Sequence, residues 1–259
     1  MISAVRRPTA TAPRLSIIIA TWNAARTFER CLRSITEQDF TDWELLIADG
    51  ASTDGTVDLI RQQEPHITWW QSKKDDGIYD AWNQALANAH GDYVAFLGAD
   101  DVWHAPSTLR LIFDAIDDKE LDLVTGRGLL VDSKGKLYHE FGGAWDYRKV
   151  ERRMTICHPG ALHRRDLFER YGKFDTSYRI SADYDFLLRL PSDLRSLHVD
   201  MVLTDITDGG VSRKYRWLML RERYRAQANC SRIGSIRAAI NYIDKLWRIP
   251  AAKILGIPN

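Results

Sequence analysis

The patterned part of the chain begins with a short apolar run, "LSIIIA" from Leu15 to Ala20. It is followed by "ARTFERCLRSI", where Phe28, Leu32 and Ile35 recur at helical spacing. That is a strand feeding an amphipathic helix. The alternation returns as "WELLIAD" before "STDGTVDLIRQQ" and "ITWW" before "GIYDAWNQALANAHG", and a fourth run, "DYVAFLG", ends on the adjacent acids Asp100 and Asp101. Short apolar strands separated by helices predict a mainly parallel sheet covered on both faces. In such α/β sheets, ligands collect beyond the carboxyl ends of the strands. Thr21, Trp22 and Asn23 follow the first predicted strand, Asp49 and Gly50 the second, Lys73 to Gly77 the third, and the two acids the fourth. The pattern therefore gathers polar residues on one edge.

Composition changes this picture in three places. With 259 residues, 45% of them hydrophobic, the chain has enough apolar surface for one large domain with an appendage. Three scattered cysteines, Cys31, Cys157 and Cys230, imply neither a disulfide framework nor a metal cluster and suit a reducing cytoplasm. Residues 1–14 carry arginines without an apolar core and read as a disordered leader, and no apolar run is long enough to span a bilayer. The formal charge of +1 hides an asymmetry. From Arg213 to Lys253 there are eleven Lys or Arg against two acids, Glu222 and Asp244, a local +9 that leaves −8 on the rest.

Two neighbouring carboxylates repel each other unless a cation neutralises them, and oxygen-only ligation suits a hard divalent ion such as Mg²⁺ or Mn²⁺. The plainer alternative for Asp100 and Asp101 is a solvated turn capping the helix after Pro106. Ser52, Thr53 and Asp54 likewise suit a helix cap. Asp183 and Asp185 in "SADYDF" lie two apart, so on a helix only one of them faces a given site. A helix-end charge favoured by the dipole is the structural alternative for Asp183.

In order, "SIIIATWN", "LLIADGASTDGT", "DDGIYDAWNQALANAHGDYVAFLGADD", "CHPGALHRRDLF" and "ISADYDFLLRL" resemble the motifs of glycosyltransferase family 2. Its members are inverting enzymes with a GT-A fold. The likeness covers Leu15 to Ser212 and is nearest to the bacterial branch that builds surface polysaccharides. It implies a GT-A, Rossmann-like α/β domain over 15–212; the remaining 213–259 read, from their own residue pattern, as a C-terminal helical extension. The likeness further implies donor-binding roles for Thr21, Asn23, Asp49, Gly77, Asp100 and His158, with Asp49 meeting the base or ribose of a uridine nucleotide. A Mn²⁺ or Mg²⁺ cofactor would sit at Asp100 and Asp101, and Asp183 would be the catalytic base. The family motif Asp-x-Asp-Asp reads Gly98-Ala99-Asp100-Asp101 here, so its first acid is missing.

The chemistry suits that carry-over. Displacement at an anomeric carbon needs a carboxylate to take the acceptor's proton and a charge sink for the departing diphosphate. The expected activity is transfer from a nucleotide sugar, UDP-linked by resemblance, to a glycan or lipid-linked acceptor at the cytoplasmic face of the membrane. Two other readings stand beside it: a catalytically silent carbohydrate-binding or scaffold protein using the nine tryptophans, and a sugar-nucleotide nucleotidyltransferase. "IIIATWNAARTF" lacks the glycines of the latter's phosphate loop. His158 is read either as a donor contact or as a structural histidine, and "TDGGVSRKYR" as a flap or a hinge. Ile233, Ile236, Ile240, Ile243 and Trp247, flanked by Arg232, Arg237, Lys245 and Arg248, predict a basic amphipathic helix. Its stripe suits the domain body, another subunit in a homo-oligomer, or an anionic membrane surface through 213–253. No nucleic-acid-binding module accompanies it.

Overall fold

The computed structural model describes residues 12–117, 119–132, 136–210 and 214–255, leaving aside the side chains of Tyr138 and 247–255. Most of the expected leader, the Val211–Arg213 part of the expected flap and the Trp247 side chain lie outside the described residues.

The predicted alternation is present. Strands β1 (Leu15–Thr21), β2 (Trp43–Asp49), β3 (Trp69–Ser72) and β4 (Tyr93–Gly98) are joined by helices α1 (Ala25–Thr36), α2 (Thr56–Gln62) and α3 (Ile78–Leu86). The strands lie parallel, in the order β3-β2-β1-β4. Successive side chains on a strand point to opposite faces, so each run supplies two cores. Ile17, Ile19, Leu45, Ile47, Ala95 and Leu97 pack with Phe28, Leu32 and Ile35 of α1 and with Leu109, Ile112 and Phe113 of α4 (Thr108–Ile116). Ile18, Leu46, Val94 and Phe96 face the other way, onto α3, α6 (Leu167–Arg170) and α7 (Ala182–Arg189).

Beyond β4 the sheet becomes mixed. β8 (Leu162–Arg164) is antiparallel to β4, β6 (Leu123–Val131) is antiparallel to β8, and β9 (Ser196–Thr207) runs parallel to β6. The two-residue β5 (Val102–Trp103) closes that edge on β9, while β7 (Leu137–Phe141) pairs with β6. β9 thereby brings Thr207 beside the turn that follows β4. A one-turn helix, α5 (Tyr147–Val150), precedes the "CHPG" turn.

The C-terminal extension is not a free-standing tail. It forms two helices, α8 (Arg216–Asn229) and α9 (Gly234–Leu255). Ala226, Ile233 and Ala238 belong to the same core as α3 and α7. The expected isoleucine stripe splits accordingly: Ile233 is buried, whereas Ile236, Ile240 and Ile243 are exposed. Two of its expected basic flankers serve this docking. Arg237 pairs with Glu151 at 2.6 Å, and Arg232 donates to the Leu190 carbonyl at 2.8 Å.

Candidate active site

At the carboxyl edge the chain folds back on itself repeatedly. Asn23 and Ala51 adopt positive φ of 48° and 61°, a conformation non-glycine residues rarely hold unless their surroundings enforce it. Here the enforcement is a lattice of hydrogen bonds. The Asn23 N–H donates to the Ser52 hydroxyl at 2.8 Å, and the Thr53 N–H donates to Asn23 Oδ1 at 2.9 Å. Trp22, directly before Asn23, is 72% exposed, a large aromatic left in solvent at the lip of the edge.

Asp49 sits behind this turn, almost wholly buried. Its Oδ1 accepts from the Thr21 hydroxyl at 2.8 Å and from the Ser52 hydroxyl, and its Oδ2 from the Ser72 hydroxyl at 2.6 Å and the Ser52 N–H at 2.9 Å. Both oxygens are thus taken by protein donors from three strand ends. In this structure Asp49 ties together the turns that shape the edge where a nucleotide contact was expected of it. Thr21 is engaged in the same way, buried with its hydroxyl committed to Asp49.

Asp100 and Asp101 occupy the turn between β4 and β5. The Gly98 N–H donates to Asp101 Oδ2 at 3.1 Å, and a Cβ at position 98 would lie 2.8 Å from both Asp100 Oδ1 and Asp101 Oδ2. A side chain at this position would make the two carboxylates shift from where they stand. Burial, followed by repulsion from Asp100, pushes the Asp101 carboxyl well above the usual range, and burial also raises Asp100. The nearby Arg30 guanidinium donates to the Asp100 main-chain carbonyl at 2.9 Å and to the Thr207 hydroxyl at 2.7 Å. It therefore steadies the turn while leaving the carboxylates close together. Among the described residues no third His, Cys, Asp or Glu completes a metal cluster. Two adjacent carboxylates whose ionised forms burial disfavours nevertheless fit a hard divalent ion of the kind that takes its other ligands from phosphate and water.

Gly77 opens α3 with φ +113°, which only glycine adopts at little cost. Two residues on, the buried Tyr79 links this edge to α7, its hydroxyl lying 2.6 Å from the Ile180 carbonyl and 3.1 Å from Asp183 Oδ1. Asp183, in the first turn of α7, is raised by burial and held down by the charge of Arg223 on α8. Asp185 has a different occupation. It accepts from Arg189 at 3.1 Å, and Arg189 in turn binds the carbonyls of Tyr171, Gly172 and Lys173, so this acid braces the loop between α6 and α7.

His158 lies beneath the edge rather than on it. It is 3% exposed and stacked against Trp82 and Phe96, with ring centroids 5.6 Å away in both cases. Burial lowers its pKa to about 3, so it is a neutral member of an aromatic layer and not a cation for a phosphate. Of its two readings, burial and stacking favour the structural one. Residues not singled out from the sequence are Arg30 and Tyr79; Asp75, within the Lys73 to Gly77 stretch, has its carboxyl raised by burial and by neighbouring Asp80, Asp49 and Asp76. The "DDG" ahead of α3 was the visible sign of Asp75, whereas nothing local marks Arg30.

Comparison with known proteins bears on this geometry. The model of Glycosyl transferase family 2 matches residues 16–172. A PGL/p-HBAD biosynthesis glycosyltransferase of Mycobacterium bovis (strain BCG / Pasteur 1173P2) is 36% identical over 196 residues, 73% of this chain and 75% of the relative. Among solved structures, S. aureus TarS 1-349 in complex with UDP-GlcNAc superposes with a TM-score of 0.67 at 18% identity, covering 90% of this chain and 71% of that one. The mannosyltransferase PcManGT from Pyrobaculum calidifontis in complex with GDP-Man and Mn²⁺ gives 0.58 at 21% identity, covering 97% and 79%. At such identities these two speak for the fold, which is of GT-A type. The family model and the mycobacterial relative carry the assignment further: the chain belongs to glycosyl transferase family 2 and is a glycosyltransferase.

Proposed function

We propose that the chain is an inverting, nucleotide-sugar-dependent glycosyltransferase that acts on a hydroxyl of a glycan or lipid-linked acceptor, with UDP-sugar as the donor class. The observation that carries this reading is the pairing of two kinds of acid at one edge. Asp100 and Asp101 form a crowded, raised carboxyl pair, while Asp183 stands on a separate helix, tethered to the same edge through Tyr79.

In this reading the donor lies along the edge, its base against Trp22 and the turn at Asn23 and its diphosphate toward Gly77 and Asp100. Asp100 and Asp101 would hold a Mn²⁺ or Mg²⁺. Such an ion supplies charge neutralisation for a diphosphate. Asp183 takes the proton of the acceptor hydroxyl while that oxygen bonds to the anomeric carbon. The bond to the diphosphate oxygen breaks on the opposite side, which inverts the configuration. UDP-GlcNAc in TarS and GDP-Man with Mn²⁺ in PcManGT support a nucleotide-sugar donor and a divalent ion. A melting panel of nucleoside diphosphates and nucleotide sugars, with and without Mn²⁺, tests the donor class. A ligand of the native state at a hundred times its Kd stabilises by about 2.7 kcal/mol. That shift is expected from UDP or a UDP-sugar with Mn²⁺, and the absence of any shift from all nucleoside diphosphates would contradict the proposal.

We also propose that α8 and α9 rest on an anionic membrane surface at the cytoplasmic face. No helix among the described residues is long and apolar enough to cross a membrane. Ile236, Ile240 and Ile243 are 82%, 61% and 53% exposed along one stripe of α9, with Trp217 of α8 also in solvent and Arg221 and Arg225 on the adjoining cleft. Anionic vesicles should co-sediment the protein less as salt rises, because screening shortens the reach of surface charge. Ile236→Asp with Ile240→Asp should abolish sedimentation without lowering the melting temperature. Undiminished sedimentation of that double variant would remove α9 as the anchor.

A further inference from the structure

The basic extension holds just two acids between Arg213 and Lys253, and one of them, Glu222, is buried in an unusual environment. Its carboxylate accepts three consecutive backbone N–H groups, those of Arg179 at 2.8 Å, Ile180 at 2.9 Å and Ser181 at 3.0 Å. These three residues form the turn that leads into α7, whose first turn carries Asp183. The helix does not cap itself: Ser181 at its N-cap makes no side-chain capping bond, and its hydroxyl is buried without a partner. Glu222 instead binds the backbone immediately ahead of the helix, from Arg179 to the N-cap Ser181, and places negative charge where the helix dipole favours it.

The same turn is gripped from the opposite side. The Tyr79 hydroxyl, which contacts Asp183, also donates to the Ile180 carbonyl, so Ile180 is held through its N–H by α8 and through its C=O by α3. One turn further along α8, the Gln227 side chain donates to the hydroxyl of Tyr184, the residue after Asp183, at 2.8 Å. The α8 face that docks the extension therefore docks it on the backbone of the acid-bearing turn. A plain tethering role would have been met by the apolar contacts of Leu220 and Ala226, both buried on the same helix.

We infer that Glu222 is a positioning residue for catalysis: by fixing the 179–181 backbone from α8 it sets where the Asp183 carboxylate stands, which makes the C-terminal extension a working part of the active site. This rests on the proposed role of Asp183 as base.

The test is a double-mutant cycle on the full chain, with donor Kd and turnover measured for Glu222→Ala, Glu222→Gln, Asp183→Asn and Glu222→Ala combined with Asp183→Asn. A misplaced catalytic group costs on the order of 10²-fold, so Glu222→Ala should lose roughly that factor in kcat while donor Kd stays within about twofold. Glu222→Gln keeps the shape and one accepting oxygen, and should recover part of the loss. In the Asp183→Asn background, removal of Glu222 should add little, because coupled residues are not additive. Amide exchange at 179–181 should accelerate in Glu222→Ala. A full additional loss in the double variant, or a parent-level kcat in Glu222→Ala with only a lowered melting temperature, overturns the inference. Near-parent turnover of Asp183→Asn instead sinks the base assignment itself, an outcome separable from the other two.

Discussion

Asp183→Asn is expected to reduce sugar transfer by roughly 10²- to 10⁴-fold, the range for loss of a general base, while leaving donor affinity unchanged. Asparagine keeps the shape of the side chain and can still meet the Tyr79 hydroxyl, yet it cannot take a proton. Burial raises the Asp183 carboxyl, and Arg223 and the Tyr79 hydroxyl oppose that rise. The base works ionised, so with its folded pKa above the ordinary carboxylate value transfer should be complete at higher pH and fall away as pH drops through the raised value. That acid limb should be missing from the residual activity of the asparagine variant. Asp185→Asn should behave differently. It breaks the bond to Arg189 and lowers stability, with near-normal turnover of the folded fraction. A dead but donor-binding Asp185→Asn beside an active Asp183→Asn would reverse the two roles.

Asp100→Ala should strike the other half of the reaction. Without that carboxylate the turn after β4 keeps Asp101 alone, and UDP affinity measured by calorimetry should lose its dependence on Mn²⁺, by tenfold or more. A tenfold change corresponds to about 1.4 kcal/mol. The turn itself should survive, since the Asp100 contacts to Arg30 and Thr207 run through its main-chain carbonyl and remain available to alanine. Equal UDP affinity in Mn²⁺ and in EDTA for the parent protein would remove the metal assignment.

What was legible in the sequence follows the physics of each segment. β2 spans Trp43–Asp49, the run read as "WELLIAD", because it is apolar on both faces and bounded by polar turns. The edge residues could be collected for the same reason, since each strand end was visible. The mixed half of the sheet was not. β6 contains glycines, and β9 is interrupted by polar residues; both are held by pairing with partners some seventy residues apart, which periodicity does not record. Side-chain roles at the edge were legible only in type. Asp49 was marked as functional by its place, yet Thr21, Ser52 and Ser72 take up its oxygens, and that depends on three turns meeting in space. His158 was ambiguous because the aromatic layer around it comes from separate segments: Trp82, Phe96, Phe174 and His163. In the extension, helical spacing showed an amphipathic stripe but not that Ile233 would turn inward, nor that Glu222 would reach the turn before α7.

The central claim is a division of labour between the carboxyl pair at the end of β4 and the single carboxylate on α7. It is tested most directly by measuring donor Kd and transfer rate side by side for Asp100→Ala and Asp183→Asn, in Mn²⁺ and in EDTA. The account predicts that Asp183→Asn binds donor like the parent and fails to transfer, while Asp100→Ala loses Mn²⁺-dependent donor binding. If both variants lose the same half of the reaction, or if Asp183→Asn transfers at the parent rate, the account is contradicted.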